Sequence, residues 1–357
     1  MVKNRFPFAA AVVPLLAAVG GCCGDASSPD ARNDAPLFST YVTEGEGSCG
    51  VCLFEHRDGG IVCGVKGWYR KSDDGGRTWK KLYPFTHGAG TRPLRLKDGR
   101  LMSVWHRDVK NALGNKLGAK NFYVSFSADE GRTWEGEVPI STDNRLLYLM
   151  NDRALRLSSG RILVAFSLHP NELLEKKMES VGWANAFYSD DEGQTWREGK
   201  WLVPTEADQL CEPCVFERRD GSLKMLARTG RGWLYESVSR DGGETWEKER
   251  ATTLRSPLAP FFVKRDPYTG LVWIVWCNSF PGAHMQTPRC PLSLGVSRDD
   301  GDTWEFVRDL EGDPMNSYGY PTIYFTKEGI VTAYYEQKGH RGWKPELQSC
   351  KLTIIPR

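Results

Sequence analysis

One eight-residue phrase, Ser-x-Asp-x-Gly-x-Thr-Trp, occurs five times in this 357-residue chain, and its spacing constrains the fold more than any other feature. The copies begin at Ser72, Ser127, Ser189, Ser239 and Ser297 and end at Trp79, Trp134, Trp196, Trp246 and Trp304. They stand 55, 62, 50 and 58 residues apart, the period of a repeated supersecondary unit rather than of a helix or a lone hairpin. Within the phrase, Ser and Asp oxygens can accept bonds from N–H groups of their own turn, Gly supplies a positive φ, and Thr-Trp begins the returning strand. Each copy therefore reads as a hairpin tip. Its Trp, large and apolar with one N–H to satisfy, is a staple between neighbouring units and not a reactive group.

Upstream of every box lies a second marker, an apolar strand, a tight turn and another apolar strand. It reads LFEHRDGGIVCGV at 53–65, LRLKDGRLMSVWH at 94–106, LRLSSGRILVAFS at 155–167, FERRDGSLKMLAR at 216–228 and FVKRDPYTGLVWIVWC at 262–277. A sixth copy, IYFTKEGIVTAYY at 323–335, has no box after it. Each unit is thus strands A and B, then strand C, the Asp-bearing turn and strand D. Six such units predict an all-β protein, a six-bladed β-propeller of four-stranded antiparallel blades over residues 37–357. After the sixth A and B strands only KLTIIPR (351–357) remains, enough for one strand. LFSTYV (37–42) is expected to supply the fourth, closing the ring and removing exposed sheet edges.

The N-terminus points to export. Lys3 and Arg5 precede an apolar stretch from Phe6 to Val19 that is too short and too Pro-broken to span a bilayer, which reads as a secretion signal. Gly20-Gly21 running into Cys22 resembles a bacterial lipoprotein cleavage box, which implies removal of residues 1–21, lipidation of Cys22 and a tether over 22–36. Ordinary cleavage near Gly24 is the alternative. The expectation is an exported lipoprotein at the outer membrane, periplasm or cell surface, touching membrane only through its lipid. The chain has 47 Lys and Arg against 45 Asp and Glu, and losing Lys3 and Arg5 with the leader leaves the two balanced. Such a chain has no nucleic-acid or polybasic membrane surface. Among ten cysteines, Cys211 and Cys214 have the spacing of a metal half-site, but no second half follows, so neither metal nor cofactor is expected. A Cys277–Cys290 disulfide is the one pairing suggested.

In a propeller the A–B and C–D turns share one rim, so the boxes occupy that side and the longer connections form the other, where function should lie. Residues placed at the second rim are Arg92, Asn151, Asp152, Arg153, Glu212, Tyr318 and Tyr320 before A strands. After B strands come His106, Arg107, Asp108, His169, Arg228, Asn278 and Glu336, with Arg289 ahead of a C strand. Several arginines, a carboxylate and a phenol around one axis suit an anionic ligand, because guanidinium forks bind carboxylates bidentately. The stretches 108–121 and 171–180 read as overhanging lids or glycan subsites.

With its five boxes the chain resembles the sialidase superfamily of Asp-box glycoside hydrolases over nearly all of residues 37–357. The site motifs that carry the resemblance are Glu212-Pro213 at the start of blade 4, Arg228 in LARTG, and Arg289 ahead of LSLGVSRDDGDTW. GYPTI with Tyr320 and YYEQ with Glu336 complete them. The resemblance implies exo-acting release of a terminal sialic acid or related acidic sugar from a glycan, with retention. Tyr320 would be the nucleophile, Glu212 its base, and Arg228 and Arg289 the carboxylate clamp. Two family parts are missing from blade 1, which has Ser48-Cys49-Gly50-Val51 in place of an Arg-bearing phrase and no carboxylate in 61–71. The substitutes suggested are Arg92 with Asp108 as acid, or Arg153 with His169, and Asp152 and Glu336 join the substrate-binding set. Two other readings stay open: a non-catalytic glycan-binding propeller, and a hydrolase or lyase of another acidic polysaccharide using Asp108, Asp152 or His169.

Overall fold

The structure, a computed structural model, describes residues 36–45, 50–85, 93–110, 119–150, 152–169, 182–279, 289–339 and 344–357. The leader, nearly all of the tether, Arg92, Asn151 and the stretch 171–180 lie outside these residues. Six antiparallel sheets succeed one another along the chain as six blades. Their innermost strands begin the blades at Cys52–Glu55, Leu94–Arg95, Ala154–Arg156, Cys211–Glu217, Phe262–Arg265 and Ser317–Phe325. Blade 6 is ordered Phe38–Thr43, Gln348–Pro356, Gly329–Gln337, Ser317–Phe325, so the start of the chain forms its outer strand. Phe38 stands opposite Ile354 and Thr40 opposite Leu352. Blade 3 departs from the expected plan. Its inner strand is split into Leu146–Tyr148 and Ala154–Arg156, both paired with Ile162–His169.

The box explains the regularity. In blade 1 the Ser72 hydroxyl accepts from Gly76 N at 2.7 Å and donates to Asp74 Oδ1 at 2.7 Å. The other Asp74 oxygen accepts from the Thr78 hydroxyl at 2.6 Å, and Oδ1 also accepts from Thr78 N at 2.9 Å. The Ser-to-Gly, Ser-to-Asp and Asp-to-Thr bonds recur in the other four boxes. Glycine is required twice over at the fifth position. Gly243 has φ 92°, and a Cβ there would stand 2.5 Å from Leu163 Cδ1 of the preceding blade. The box is thus pressed into its neighbour's core. Each Trp follows it there: Trp196 lies against residues of blades 2 and 3, Trp246 against blades 3 and 4, Trp304 against blades 4 and 5.

Ion pairs add a second seam. The fourth box residue, Glu130, takes Arg57 from the preceding blade at 2.7 Å and Arg95 from its own inner strand at 2.6 Å. Arg265 reaches Asp300 in the same way at 2.6 Å. Fully buried Lys224 of blade 4 donates to Gly301 O at 2.9 Å and pairs with Asp302 and Glu236 at 2.7 and 3.1 Å. Burial works against ionisation of Glu130, but the bonds from Arg95 and Arg57 outweigh it and hold its carboxyl at about 2.

Residues of blades 3, 4 and 5, mostly of their inner strands, line an open cavity of about 660 Å³ that includes Asp152 and Arg153 as well as the turns at Ser158 and Asp220-Gly221. Cys277 and Cys290 are both free thiols, so the suggested disulfide between them is not formed. Cys277 directs its thiol at Tyr318 O, and it pairs in register with Leu292, which leaves Cys290 beyond the end of the ladder.

Candidate active site

Two inner strands are interrupted at the rim opposite the boxes, and each interruption places a polar side chain near the axis. In blade 4 the pairing register shifts between Cys211 and Cys214, and in blade 6 between Gly319 and Thr322. Each shift contains an X-Pro pair, Glu212-Pro213 and Tyr320-Pro321. Proline has no N–H for the ladder, so a bulge absorbs it. The residues before the prolines take the left-handed region, Glu212 at φ 46° and Tyr320 at φ 48°. Asp152, at the break in the inner strand of blade 3, does the same at φ 61°. A non-glycine residue held there costs about 1–2 kcal/mol, and such strain gathers at functional positions.

The bulges bring together groups far apart in sequence. Tyr320 OH donates to Glu212 Oε1 at 3.3 Å, across 108 residues. Arg228, on the strand beside Glu212, donates through Nη1 to Glu212 Oε2 at 2.6 Å and through Nη2 to Leu258 O at 3.3 Å. Arg289 donates to Tyr335 OH at 2.8 Å, and its guanidinium lies 6.0 Å from the Tyr320 ring centre. Tyr335 in turn lies 6.0 Å from Tyr320, ring to ring. Arg153, only 4 % exposed, reaches from blade 3 to donate to Glu212 O at 3.4 Å and Phe261 O at 3.2 Å, with its guanidinium over the Phe261 and Phe262 rings. Its Nε and Nη1, and Nε of Arg228, have no hydrogen-bond partner among the described residues.

The electrostatics suit a resting phenol beside a ready base. Burial and then the Glu212 charge push the Tyr320 hydroxyl well above its ordinary range, with Arg228 and Arg289 opposing them. Arg228 is buried, which works against its charge, yet Glu212 and Tyr320 hold it firmly cationic. His169 ends the second strand of blade 3, with Nε2 3.8 Å from Cys211 Sγ and its ring edge-on to Tyr148 at 4.7 Å. Burial pulls its imidazole down to about 4; Glu212 resists and Arg228 assists.

Other residues singled out in the sequence take partners outside this chain of groups. Asp108 ends its strand with a side chain 78 % exposed, 3.7 Å from Lys120 and 3.8 Å from His106. Asp152 is buried and accepts from the Thr322 hydroxyl of blade 6. Glu336 accepts from Tyr41 of the outer strand, with Lys351 at 3.8 Å and Lys338 at 3.9 Å. Tyr318 is fully buried, its hydroxyl accepting from Asn316 at 3.3 Å. The sequence reading missed Tyr335, Tyr148 and Phe261, and noticed Cys211 only as half of a metal-like spacing. Of the three, Tyr335 left a trace, as the aromatic neighbour of Glu336 at a strand end. Among the described residues no three His, Cys, Asp or Glu are grouped to hold a metal ion.

Residues 93–333 match the BNR repeat-like domain family. The chain is 23% identical to a sialidase of Bacteroides fragilis, over 90% of this chain and 61% of that protein. It is 26% identical to an anhydrosialidase of Macrobdella decora, over 64% of this chain and 31% of that protein. It therefore spans less than two thirds of the length of these curated relatives. A crystal structure of a protein of unknown function from Dyadobacter fermentans superimposes with a TM-score of 0.65 at 19% identity, covering 90% of this chain and 99% of that one. At such identity the likeness is one of fold.

Proposed function

Since the chain belongs to the BNR repeat-like domain family, we propose that it is a glycoside hydrolase of sialidase type, removing a terminal sialic acid or related acidic sugar from glycans with retention of configuration. One observation carries this reading: Tyr320 OH, Glu212 and Arg228 form a continuous hydrogen-bonded chain at the axis, built on two strained bulges. A sugar whose anomeric carbon bears a carboxylate repels an anionic nucleophile, so a neutral phenol activated by an adjacent base is the fitting attacker. Glu212 takes the phenolic proton as the Tyr320 oxygen bonds to the anomeric carbon. Arg228 and Arg289 hold the substrate carboxylate, each charge-assisted bond contributing about 1.5–3 kcal/mol. In the second half, water displaces Tyr320 and the proton returns from Glu212.

From the N-terminal apolar stretch and Gly20-Gly21-Cys22 we also propose export and a lipid on Cys22; the mass of the mature N-terminal peptide tests that. Activity is tested by release of the fluorescent aglycone from a 4-methylumbelliferyl sialoside and from analogues with other acidic sugars. Tyr320→Phe is expected to lower kcat/KM by about 10³-fold or more and Glu212→Gln by about 10²–10⁴-fold. Saturable binding of acidic sugars with no turnover of any of them would sink the enzymatic reading and select a glycan-binding propeller.

A further inference from the structure

We propose that His169 is the general acid of this site: it protonates the departing alcohol in the first half-reaction and takes a proton from water in the second. The inference rests on the glycosidase reading above and supplies the part that reading lacks. A nucleophile and its base are present, but a sugar alcohol leaves slowly as an alkoxide, so a proton donor must face it. Among the described residues named as candidates, three carboxylates are engaged elsewhere. Asp108 points to solvent between Lys120 and His106. Asp152 is bonded by Thr322 and lines the open cavity of blades 3, 4 and 5. Glu336 is held by Tyr41 and two lysines.

His169 differs in position and in availability. Cys211, its contact at 3.8 Å, is the residue before Glu212 and stands opposite Arg228 in the ladder, so the imidazole lies beside the strand pair that carries Glu212 and Arg228 and feels the charge of both. The ring is partly exposed, braced by the Tyr148 ring, and its Nδ1 has no hydrogen-bond partner among the described residues. The Cys211 thiol does not compete for it. That thiol donates to Gln209 Oε1 at 2.9 Å and is pushed up to about 12 by burial, so it stays neutral. Among the described residues, the charged groups that act on the ring are Glu212 and Arg228, of opposite sign. A bound substrate adds a carboxylate and raises the proton affinity of a ring that burial holds low in the empty site.

The steps balance. The phenolic proton passes to Glu212 as the Tyr320 oxygen forms its bond to the anomeric carbon. The bond to the leaving oxygen breaks, its electron pair stays on that oxygen, and the oxygen takes the proton of His169. Neutral His169 then accepts a proton from water as the water oxygen bonds to the anomeric carbon. The tyrosyl bond breaks, and its oxygen recovers the proton from Glu212.

The test compares leaving groups. Sialyllactose departs as an alcohol that needs protonation, whereas 4-methylumbelliferone departs unaided. His169→Gln and His169→Ala are each expected to lose about 10²–10⁴-fold in kcat/KM on sialyllactose and less than about 10-fold on the umbelliferyl sialoside. Added formate is expected to restore part of the alanine variant's sialyllactose turnover. Equal losses on both substrates, or none on either, overturn the assignment while the wild-type turnover leaves the glycosidase reading standing. Wild-type inertness toward both substrates removes the two together. If both variants unfold, wild-type protein with ¹⁵N-labelled histidine decides: the His169 ring is expected to titrate at higher pH with 2,3-didehydro-2-deoxy-sialic acid bound, and an unmoved titration overturns the role.

Discussion

Glu212 and Tyr320 hold backbone conformations that most side chains avoid, and both do so beside a proline. At the scale of the residue this separates function from stability. The Tyr320 hydroxyl bond to Glu212 is long, at 3.3 Å, and Phe keeps the ring, so Tyr320→Phe is expected to change unfolding free energy by about 1 kcal/mol or less while removing turnover. Arg228→Ala behaves oppositely. It leaves a largely buried carboxylate at Glu212 without its 2.6 Å partner, and a loss of about 3–5 kcal/mol in urea denaturation is expected. An Arg228→Ala protein as stable as the wild type would show that the pair is solvated after all. The sequence offered Glu212, Arg228, Arg289 and Tyr320 by their places at strand entrances and exits, and the resemblance to sialidases assigned their roles. It offered Asp108 and Glu336 on the same positional grounds. A strand-end position says which rim a residue occupies but not how far its side chain reaches toward the axis. Arg153 shows the gap most clearly, since its hold on the Glu212 and Phe261 carbonyls depends on three blades meeting.

At the scale of the element, the box unites turn chemistry with contact between blades. Gly243→Ala forces an L side chain into φ 92° and its Cβ to 2.5 Å from Leu163, so a loss of about 2 kcal/mol or more is expected by thermal unfolding. The same substitution at exposed Gly221 has the φ penalty alone, with nothing near its Cβ, and is expected to cost less. Acid reaches the seams next. The Glu130 carboxyl is held at about 2, and hydrogen bonds from Thr303 and Ser297 keep Asp299 at about 2 against the opposing effect of burial. Both folded values lie below the unfolded ones near 4, so their stabilisation is complete above about pH 4.5 and is lost as pH falls toward 2. Melting temperature is therefore expected to decline across that window, and a flat profile there would contradict the seam pairing. Strand order, turn positions and the packing of each Trp were legible in the sequence because one local pattern recurs at fixed distances. The split inner strand of blade 3 was not, since Leu146–Tyr148 precedes the recurrent unit and pairs with a strand that unit already uses.

At the scale of the whole molecule, the ring is completed by the strand Phe38–Thr43 on Gln348–Pro356. Val42 from this strand packs with Val51 and Leu53 of blade 1 and with Val331 and Leu352 of blade 6. A chain beginning at Glu44 lacks this strand and the Tyr41 bond to Glu336. Its melting temperature is expected to fall by about 5 °C or more, with unfolding losing cooperativity. A truncated protein that melts like the full chain would mean that the outer strand is an ornament. The closure also has a cost in time. Ser39 and Thr353, bonded in the finished ring, are 314 residues apart, and at about 5–20 residues per second a ribosome needs roughly 15–60 s to make the partner after making the first strand. For that interval an apolar-flanked segment stays unmatched while five blades form behind it. The newborn chain thus depends on whatever escorts it during synthesis to keep its earliest β segment from pairing with a stranger.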